Sequence, residues 1–375
     1  MMKLKIEKKD LVNLLSKTQN IVEKRNTMPV LVNVLFEAKK DMLKVFATDL
    51  EVSLTDQATA EIKEDGLLAI NARNLFDIVK ELSDGPIHLT KNKNNRLEIK
   101  QNKSIFNLVG ISAEEYPIFP SYKTKDFIKM NPKTLTGMIE RTIYSVSNDE
   151  TRYHLNGVYF EKMTQNGSPC FRMVATDGHR LSLVDREITK EMSDTVLPNQ
   201  GVIIPRKGLT EIKKIVDHLD SDVEMAFEGA QLIIRTNSTV LMIRLIEGKY
   251  PNYQQLIPQK MKKQALINRE IFLGSIRRVS LLSNHKSKGV TISLTNGKME
   301  ITSNNPDLGD AKEEIDVDYD GDNLKIGFNA KYILDILNSF EEDSLALELD
   351  GQLSPGLIRP GNDKNYMCVV MPMRI

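Results

Sequence analysis

The sequence has few of the residues that build disulfide-linked or metal-linked proteins, and it carries no net charge. Only two of its 375 residues are cysteine, Cys170 and Cys368, which excludes a disulfide framework and Cys-rich zinc modules. Its 51 basic residues equal its 51 acidic residues, so a simple polybasic nucleic-acid binder is indicated only if the charges are unevenly distributed. No apolar run approaches the roughly 18 residues of a membrane span, and residues 1–7 lack the apolar core of a signal peptide. We therefore expect a reduced, cytoplasmic protein.

Signatures of catalysis and of metal binding are also scarce. The five histidines fall in no H-x-x-x-H or H-E-x-x-H pattern, and neither a phosphate-binding loop nor a dinucleotide fingerprint occurs. We therefore expect no metal site and no cofactor. The best catalytic candidate is the pair Asp177 and His179, because a carboxylate can orient a histidine base. Asp177-Gly178 is equally a turn signal between strands, so a hydrolase is one hypothesis among others.

The strongest positive signal is a threefold internal repeat. Short apolar segments lead into amphipathic helices, and one helix type begins at Ala72, Pro205 and Ala330, at spacings of 133 and 125 residues. Alternating β-branched segments between the helices predict strands. Shorter elements recur as well: residues 47–49 (Ala-Thr-Asp) return at 175–177, and residues 116–117 (Tyr-Pro) return at 250–251. The six predicted helices span residues 8–25, 71–82, 132–147, 206–218, 268–283 and 329–340.

These patterns predict an α+β fold of three repeated domains, over residues 1–124, 125–260 and 261–375. Each domain would hold two helices and antiparallel sheets. A repeat of this kind describes a fold and leaves the function to be found on the surfaces.

Charge is segregated between the predicted helices and the rest of the chain. The helices carry 17 basic and nine acidic residues, a surplus of eight that the other segments must balance. If the helices shared one face, this surplus would make that face positive and able to bind nucleic-acid phosphates. The alternative is that the lysines simply lie on the solvent-exposed faces of the helices. The apolar C-terminal tail, residues 369–375, also has two possible interpretations. It is either a core strand or part of a methionine-lined groove that adapts to several partners.

Seven short segments, in this order and at this spacing, resemble one known family. The sequence is similar to the β subunits of bacterial DNA polymerase III, the replicative sliding clamps, and the resemblance covers the whole chain. The matching segments are residues 25–31, 152–157, 175–181, 204–208, 250–253, 327–329 and 370–374.

The resemblance implies a non-catalytic processivity factor. Three-domain clamp-type subunits would close head to tail into a dimeric six-domain ring around double-stranded DNA, without sequence preference. Helices would line the hole and strands would form the outside. The implied partners are the polymerase III catalytic subunit, the clamp-loader subunits and other replication and repair proteins, all bound through short linear peptides. The protein would touch no membrane and would associate with the nucleoid during replication.

The resemblance also implies three sets of site residues. The partner-peptide groove would comprise Leu155, Thr176, Gly178, His179, Arg180, Leu181, Pro251, Leu256, Asn329, Tyr332, Leu353, Pro355, Val369, Met371, Pro372, Met373 and Arg374. The DNA-binding set would comprise Arg25, Arg73, Lys80, Arg152, Tyr153, Arg206, Lys207 and Arg278. The dimer interface would comprise Lys103, Phe106, Leu108, Leu281, Leu282, Glu313 and Glu314, with Lys103 paired to one of the two glutamates.

Three positions depart from the family pattern. His154 stands where the family often has tyrosine, Gln255 where a basic residue is common on the groove rim, and Asp149 adds negative charge to a loop expected near DNA. A monomeric peptide-binding adaptor with the same fold is the alternative to the ring. Phe106 and Leu281 are both apolar, as a dimer interface requires, and this favours the ring.

Overall fold

The computed structural model describes residues 2–22, 28–165, 167–189, 192 and 201–374. Arg25, one of the predicted DNA contacts, lies outside the described residues. None of the described helices is long and apolar enough to cross a membrane. Six described helices have nine or more residues: α1 (Lys8–Thr18), α2 (Ala72–Glu81), α3 (Pro132–Ile143), α4 (Arg206–Val216), α5 (Arg269–Val279) and α6 (Ala330–Asn338).

Twenty-five strands are described, and all their pairings are antiparallel. They are β1 (Lys3–Glu7), β2 (Asn33–Lys39), β3 (Met42–Thr48), β4 (Val52–Thr59), β5 (Glu61–Glu64), β6 (Gly66–Asn71), β7 (Pro86–Lys91), β8 (Arg96–Gln101), β9 (Ser104–Ile111), β10 (Ile128–Met130), β11 (Gly157–Gln165), β12 (Ser168–Thr176), β13 (Arg180–Glu187), β14 (Val202–Pro205), β15 (Val223–Glu228), β16 (Gln231–Arg235), β17 (Val240–Arg244), β18 (Lys263–Asn268), β19 (Gly289–Thr295), β20 (Lys298–Asn305), β21 (Gly309–Asp316), β22 (Leu324–Asn329), β23 (Ser344–Leu349), β24 (Gly356–Pro360) and β25 (Tyr366–Val370).

The predicted strand-to-helix junctions are confirmed, and three of them have the same cap. Asn71, Asn268 and Asn329 each end a strand and accept a backbone N–H from the first turn of the helix that follows, at 2.9, 3.1 and 2.9 Å. Asparagine stabilises a helix start in this way because the first N–H groups have no partner inside the helix.

All six predicted helices exist, but their C-terminal ends lie earlier than the sequence pattern indicates. The prediction for α1 was wrong for residues 19–22, since the helix ends at Thr18, whose hydroxyl donates to the Leu15 carbonyl at 2.7 Å; residues 23–25 of the predicted helix lie outside the described residues. Ile21 is nevertheless fully buried. The apolar spacing therefore continued past the helix, because a turn can bury the same side chains that another helical turn would have buried.

The described chain forms two compact units, and the first comprises Met1–Lys133 with Lys207–Leu245. Its sheet has 13 strands in the order β10-β15-β16-β17-β4-β3-β2-β6-β9-β8-β7-β1-β5. The central joint of this sheet is the antiparallel pair β4 and β17, which sets Val52 opposite Ile243. Helices α1 and α2 pack against each other in this unit.

The second unit comprises Thr134–Arg206 with Ile246–Ile375. It contains an eight-stranded sheet, β14-β11-β12-β13-β25-β24-β23-β18, and a four-stranded sheet, β21-β20-β19-β22. The joint that corresponds to β4 and β17 is the pair β13 and β25, which sets Arg180 opposite Val370. Helices α5 and α6 pack against each other here.

A buried ion pair links β12 to β13 in the second unit. Arg172 donates to both carboxylate oxygens of Asp185 at 2.6 Å each, and to the Tyr253 hydroxyl at 3.2 Å. Both charged residues are buried. These hydrogen bonds outweigh the effect of burial and raise the pKa of Arg172. Its guanidinium therefore stays charged and depends on Asp185 for compensation.

We predict that Asp185→Asn destabilises the protein by about 3–5 kcal/mol, because it leaves the buried guanidinium without a counter-charge. The measurement is the urea midpoint followed by circular dichroism. The control is the double variant Arg172→Met with Asp185→Leu, which removes both charges and should recover most of the loss. A single variant that unfolds at the native midpoint contradicts this account.

Candidate functional site

The turn between β12 and β13 presents several of the predicted groove residues. The Thr176 hydroxyl donates to the Arg180 carbonyl at 2.6 Å and accepts the Gly178 N–H at 3.1 Å. Oδ1 of Asp177 accepts the N–H groups of His179 and Arg180 at 2.9 and 3.1 Å. Gly178 has a φ of +89°, a left-handed value that favours glycine. The side chains of the turn therefore fix its shape, as the Asp-Gly signal predicted.

Arg180 holds this turn against α6. Its guanidinium donates to Oδ2 of Asp177 at 3.1 Å, to Oδ2 of Asp335 at 2.6 Å and to the Tyr144 carbonyl at 2.6 Å. The guanidinium carbon also lies 4.6 Å from the centre of the Tyr332 ring, a cation–π contact. Arg180 is therefore a buried brace between the hairpin and the helix.

The ring of His179 faces an aromatic ring and not the carboxylate of Asp177. It lies nearly parallel to the Tyr332 ring, with the centres 6.2 Å apart. Oδ1 of Asp177 is bound to backbone amides and Oδ2 to Arg180. The geometry of an oriented histidine base is therefore not formed, and His179 with Tyr332 makes an aromatic wall.

An apolar cluster lies beneath the turn. The predicted residues Leu155, Leu181 and Val369 belong to it, and Leu256 packs against it. Its other members are Val174, Leu183, Ile203, Tyr250, Tyr253 and Leu357, with Tyr159, Ile246, Ile257, Met261 and Met367 at its border.

Tyr250 is a structural member of this site that sequence reasoning missed. Its hydroxyl accepts the Thr176 N–H at 3.1 Å, and its ring stacks on Tyr159 with the centres 5.0 Å apart. Burial raises the pKa of Tyr250, so the hydroxyl stays neutral. The available signal was the recurrence of the Tyr-Pro pair at residues 116–117 and 250–251, together with the matching segment 250–253.

The C-terminal tail runs beside the turn. The Met371 N–H donates to the His179 carbonyl at 2.9 Å, and the Met373 N–H donates to the Gly327 carbonyl at 2.8 Å. Val369 is buried as part of β25, whereas Met371 and Met373 are half-buried. The core-strand interpretation is therefore confirmed for the first part of the tail, and a groove at Met371 and Met373 stays a prediction.

The remaining predicted groove residues flank this arrangement. Asn329 caps α6, one turn before Tyr332. Leu353 and Pro355 lie on the loop between β23 and β24, with Leu353 exposed. Pro251 and Pro372 are half-buried, and Arg374 is exposed. The predicted set is thus drawn from one hairpin, one helix start, two loops and the tail.

Four of the predicted DNA contacts are accessible. Arg73 and Lys80 are exposed on α2. Arg152 and Tyr153 lie on a short 3-10 helix, Glu150–Leu155, and Tyr153 is exposed. Asp149 caps this helix and accepts a bond from Nε of Arg152 at 2.9 Å. Hydrogen bonds from Thr151 and Arg152 lower the pKa of Asp149. The carboxylate of Asp149 therefore stays negatively charged and offsets the positive charge of Arg152.

Three more residues of that set also have partners inside their own unit, although Arg278 is itself exposed. Arg206 donates to the carbonyls of Ile143 and Val146 at 3.3 and 2.8 Å. Lys207 forms an ion pair with the buried carboxylate of Asp49, and Arg278 with Glu313. Their role in DNA binding stays a prediction, because each charge is at least partly compensated within the protein.

The predicted interface residues lie on sheet edges and on a short helical turn. Beside β8, the Ser104–Val109 part of β9 has no second neighbour among the described strands, and β21 is likewise the outer strand of its sheet. Phe106 is 39% exposed and Leu281 is 73% exposed. Leu108 and Leu282 are half-buried. Glu313 and Glu314 are already paired with Arg278 and Lys298, so the predicted pairing with Lys103 would have to share them.

The comparisons with known proteins agree with this geometry over the whole chain. Family models of the DNA polymerase III beta subunit match residues 2–120 (N-terminal domain), 129–252 (central domain) and 254–374 (C-terminal domain). The beta sliding clamp of Caulobacter vibrioides is 33% identical and covers all of both chains.

Solved structures give the same result. The beta sliding clamp of Caulobacter crescentus, crystallised with polyethylene glycol bound, has a TM-score of 0.94 at 32% identity. The sliding clamp of Bartonella birtlesii bound to griselimycin has a TM-score of 0.95 at 31% identity. Both matches cover 100% of each chain. This chain belongs to the DNA polymerase III beta subunit family, the beta sliding clamps.

Proposed function

We propose that this chain is a DNA sliding clamp, a homodimer closed into a ring around duplex DNA that tethers the replicative polymerase, the clamp loader and repair proteins. The observation that carries the proposal is the full-length match to sliding clamps across three consecutive domains. Its work is binding and not catalysis, as in the rest of the family. We further propose the domain boundaries 1–124, 125–260 and 261–375, and a cytoplasmic, nucleoid-associated location.

Two unpaired sheet edges support the ring. An exposed edge strand offers a row of free N–H and C=O groups that another strand can complete. The Ser104–Val109 part of β9 is largely apolar and is preceded in the chain by Lys103, whereas β21 carries four acidic residues and one lysine. The β9 edge of one copy and the β21 edge of the next are therefore complementary in charge. Such a contact is heterologous and closes into a ring when the rotation permits.

The charge of the helices supports DNA encirclement. The six helices, with the bounds observed, carry 15 basic and seven acidic residues, a surplus of eight. Contacts between such helices and phosphates are weak and independent of sequence. Retention on DNA then depends on topology, so the ring can slide.

The groove supports the binding of partner peptides. An apolar floor around Leu155 and Leu181, with Met371 and His179 at its border, has the composition of a site for apolar and aromatic peptide anchors. The preference among peptides would then be set by residues beside this floor, namely His154, Gln255 and the prolines Pro251, Pro355 and Pro372.

For the groove, we predict that Met371→Ala with Met373→Ala weakens binding of a peptide containing glutamine, leucine and phenylalanine by about tenfold or more, because two half-buried anchors are removed. Fluorescence anisotropy with a labelled peptide measures this. Leu67→Ala, an exposed leucine on β6, is the matched control. Sedimentation should show an unchanged dimer, and an unchanged peptide affinity would remove the groove assignment.

For the interface, we predict that Phe106→Asp or Leu281→Asp converts the dimer to monomer at micromolar concentration. Burying a new carboxylate in an apolar contact costs about 2 kcal/mol or more, which is about 30-fold in affinity. Sedimentation velocity measures the mass. Leu308→Asp replaces an exposed leucine outside the predicted interface and should leave the dimer intact. Dimers in all three variants would favour another interface, and a monomeric native chain would favour the adaptor.

For DNA, we predict that Arg73→Ala and Lys80→Ala each reduce the slope of log affinity against log salt by about 0.9, the value for one lost phosphate contact. Titrations of short duplex DNA at several salt concentrations give the slope. Lys39→Ala, at the end of β2, is the control because it lies outside the helices. Equal slopes for the helix variants and the control would mean that α2 does not face DNA.

A further inference from the structure

The first unit contains a pocket of about 430 Å³ whose function nothing above assigns. Its walls include Thr48, Leu50, Glu51, Ile118, Met242 and Arg244. We call it the second pocket. It lies where β4 and β17 join, and this joint is the counterpart of the β13 and β25 joint beside the groove.

The turn at the second pocket shares three hydrogen bonds with the turn at the groove. The Thr48 hydroxyl accepts the Leu50 N–H at 3.0 Å, as the Thr176 hydroxyl accepts the Gly178 N–H. Oδ1 of Asp49 accepts the N–H groups of Glu51 and Val52 at 2.9 and 2.6 Å, as Asp177 does with the corresponding amides.

The surroundings of the two turns match as well. The Tyr116 hydroxyl lies behind the first turn, where it donates to the Asn33 and Phe46 carbonyls at 3.4 and 3.3 Å, and the Tyr250 hydroxyl lies behind the other turn, where it accepts the Thr176 N–H. The Arg244 N–H donates to the Glu51 carbonyl at 2.8 Å, and the Met371 N–H donates to the His179 carbonyl at 2.9 Å. The second pocket is therefore the repeat-related copy of the groove.

Two apolar residues at this pocket are costly for the free protein. Leu50 has a φ of +77° at the position where the other turn has Gly178, and its side chain is 52% exposed. A left-handed leucine is strained, and strain of this kind persists where a function requires it. Ile118, also in the pocket wall, is 98% exposed. A ligand that covers both side chains would recover part of the cost of exposing these apolar groups to water.

The charges around the second pocket differ from those at the groove and indicate a different ligand. Glu51 and Arg244 occupy the positions of His179 and Met371, and Glu228 is a further wall residue. Oε2 of Glu228 accepts the N–H groups of Lys123 and Thr124 at 2.9 and 2.7 Å. The wall therefore contains two carboxylates and one guanidinium, a net negative charge that favours a cationic ligand.

We propose that the second pocket binds a short linear peptide in which an apolar side chain covers Leu50 and Ile118 and a neighbouring basic residue meets the Glu51 and Glu228 carboxylates. The proposal rests on the proposed function only in taking the groove to be a peptide site. It gives each chain two peptide sites of related architecture and different charge preference.

The test uses the full-length protein carrying Met371→Ala and Met373→Ala, so that the groove is disabled. The probe is a fluorescein-labelled Lys-Leu-Phe-Leu-Lys peptide, with Glu-Leu-Phe-Leu-Glu as the charge control. Anisotropy gives the affinity, and methyl NMR follows Leu50 and Ile118. We expect saturable shifts at both methyl groups and at least tenfold weaker binding of the acidic peptide.

Two single changes on that background isolate the pocket. Ile118→Ser alters an almost fully exposed side chain, and Leu50→Gly restores the glycine of the other turn and relieves strain, so neither should impair folding. Each should weaken binding of the basic peptide about tenfold, whereas Leu308→Ser should not.

Shifts absent from Leu50 and Ile118, or equal affinity for both peptides, would overturn the proposal. So would self-association that Ile118→Ser abolishes without peptide, because a second copy would then be the occupant. The native chain is titrated in parallel with the glutamine-containing peptide. Failure there, with binding retained at the second pocket, would count against the groove assignment and not against this proposal.

Discussion

Antiparallel pairing between the edge strands of successive repeats is the constraint on which the rest of this structure depends. No single repeat completes its own sheets. β4 is completed by β17 in the first unit, and β13 is completed by β25 in the second. The open edges among the described strands include those of β9 and β21, and an open edge can be completed by a strand of another chain. We propose that a second copy of the chain supplies it.

The same joints create the binding surfaces. At each one a Thr-Asp turn is fixed by its own side chains, backed by a buried tyrosine and bordered by the segment that follows the partner strand. Small changes then diversify the sites. We propose that Gly178, His179 and Met371 border a largely apolar groove, whereas Leu50, Glu51 and Arg244 line a more strongly charged pocket. Repetition thus supplies the scaffold, and a few side chains decide what binds.

The sequence allowed prediction of the features that are local. The six helices, the strand-to-helix junctions and the Asp177-Gly178 turn follow from spacing, caps and turn chemistry, all within a few residues of chain. The helix ends did not, because Ile21 can be buried by a turn as well as by a helix. The partners of Arg180 and Arg206 could not be predicted either. Asp335 and the Ile143 carbonyl are distant from them in sequence and become their neighbours only through folding.

The resemblance in seven segments predicted the family, which the full-length comparisons confirm, but it did not show which charges are compensated internally. Lys207 and Arg278 belong to the DNA-binding set that the resemblance implies. The structure adds their carboxylate partners, Asp49 and Glu313. An ion pair of this kind arises from tertiary packing, so composition alone overstates the charge that is available to DNA.

The central claim is that two copies complete each other's open edges and form a ring. Small-angle X-ray scattering on the purified chain at micromolar concentration tests it most directly. The account predicts a mass near twice 42.5 kDa and a pair-distance distribution with the shape expected of a hollow ring. A compact or elongated particle with the mass of one chain would contradict it.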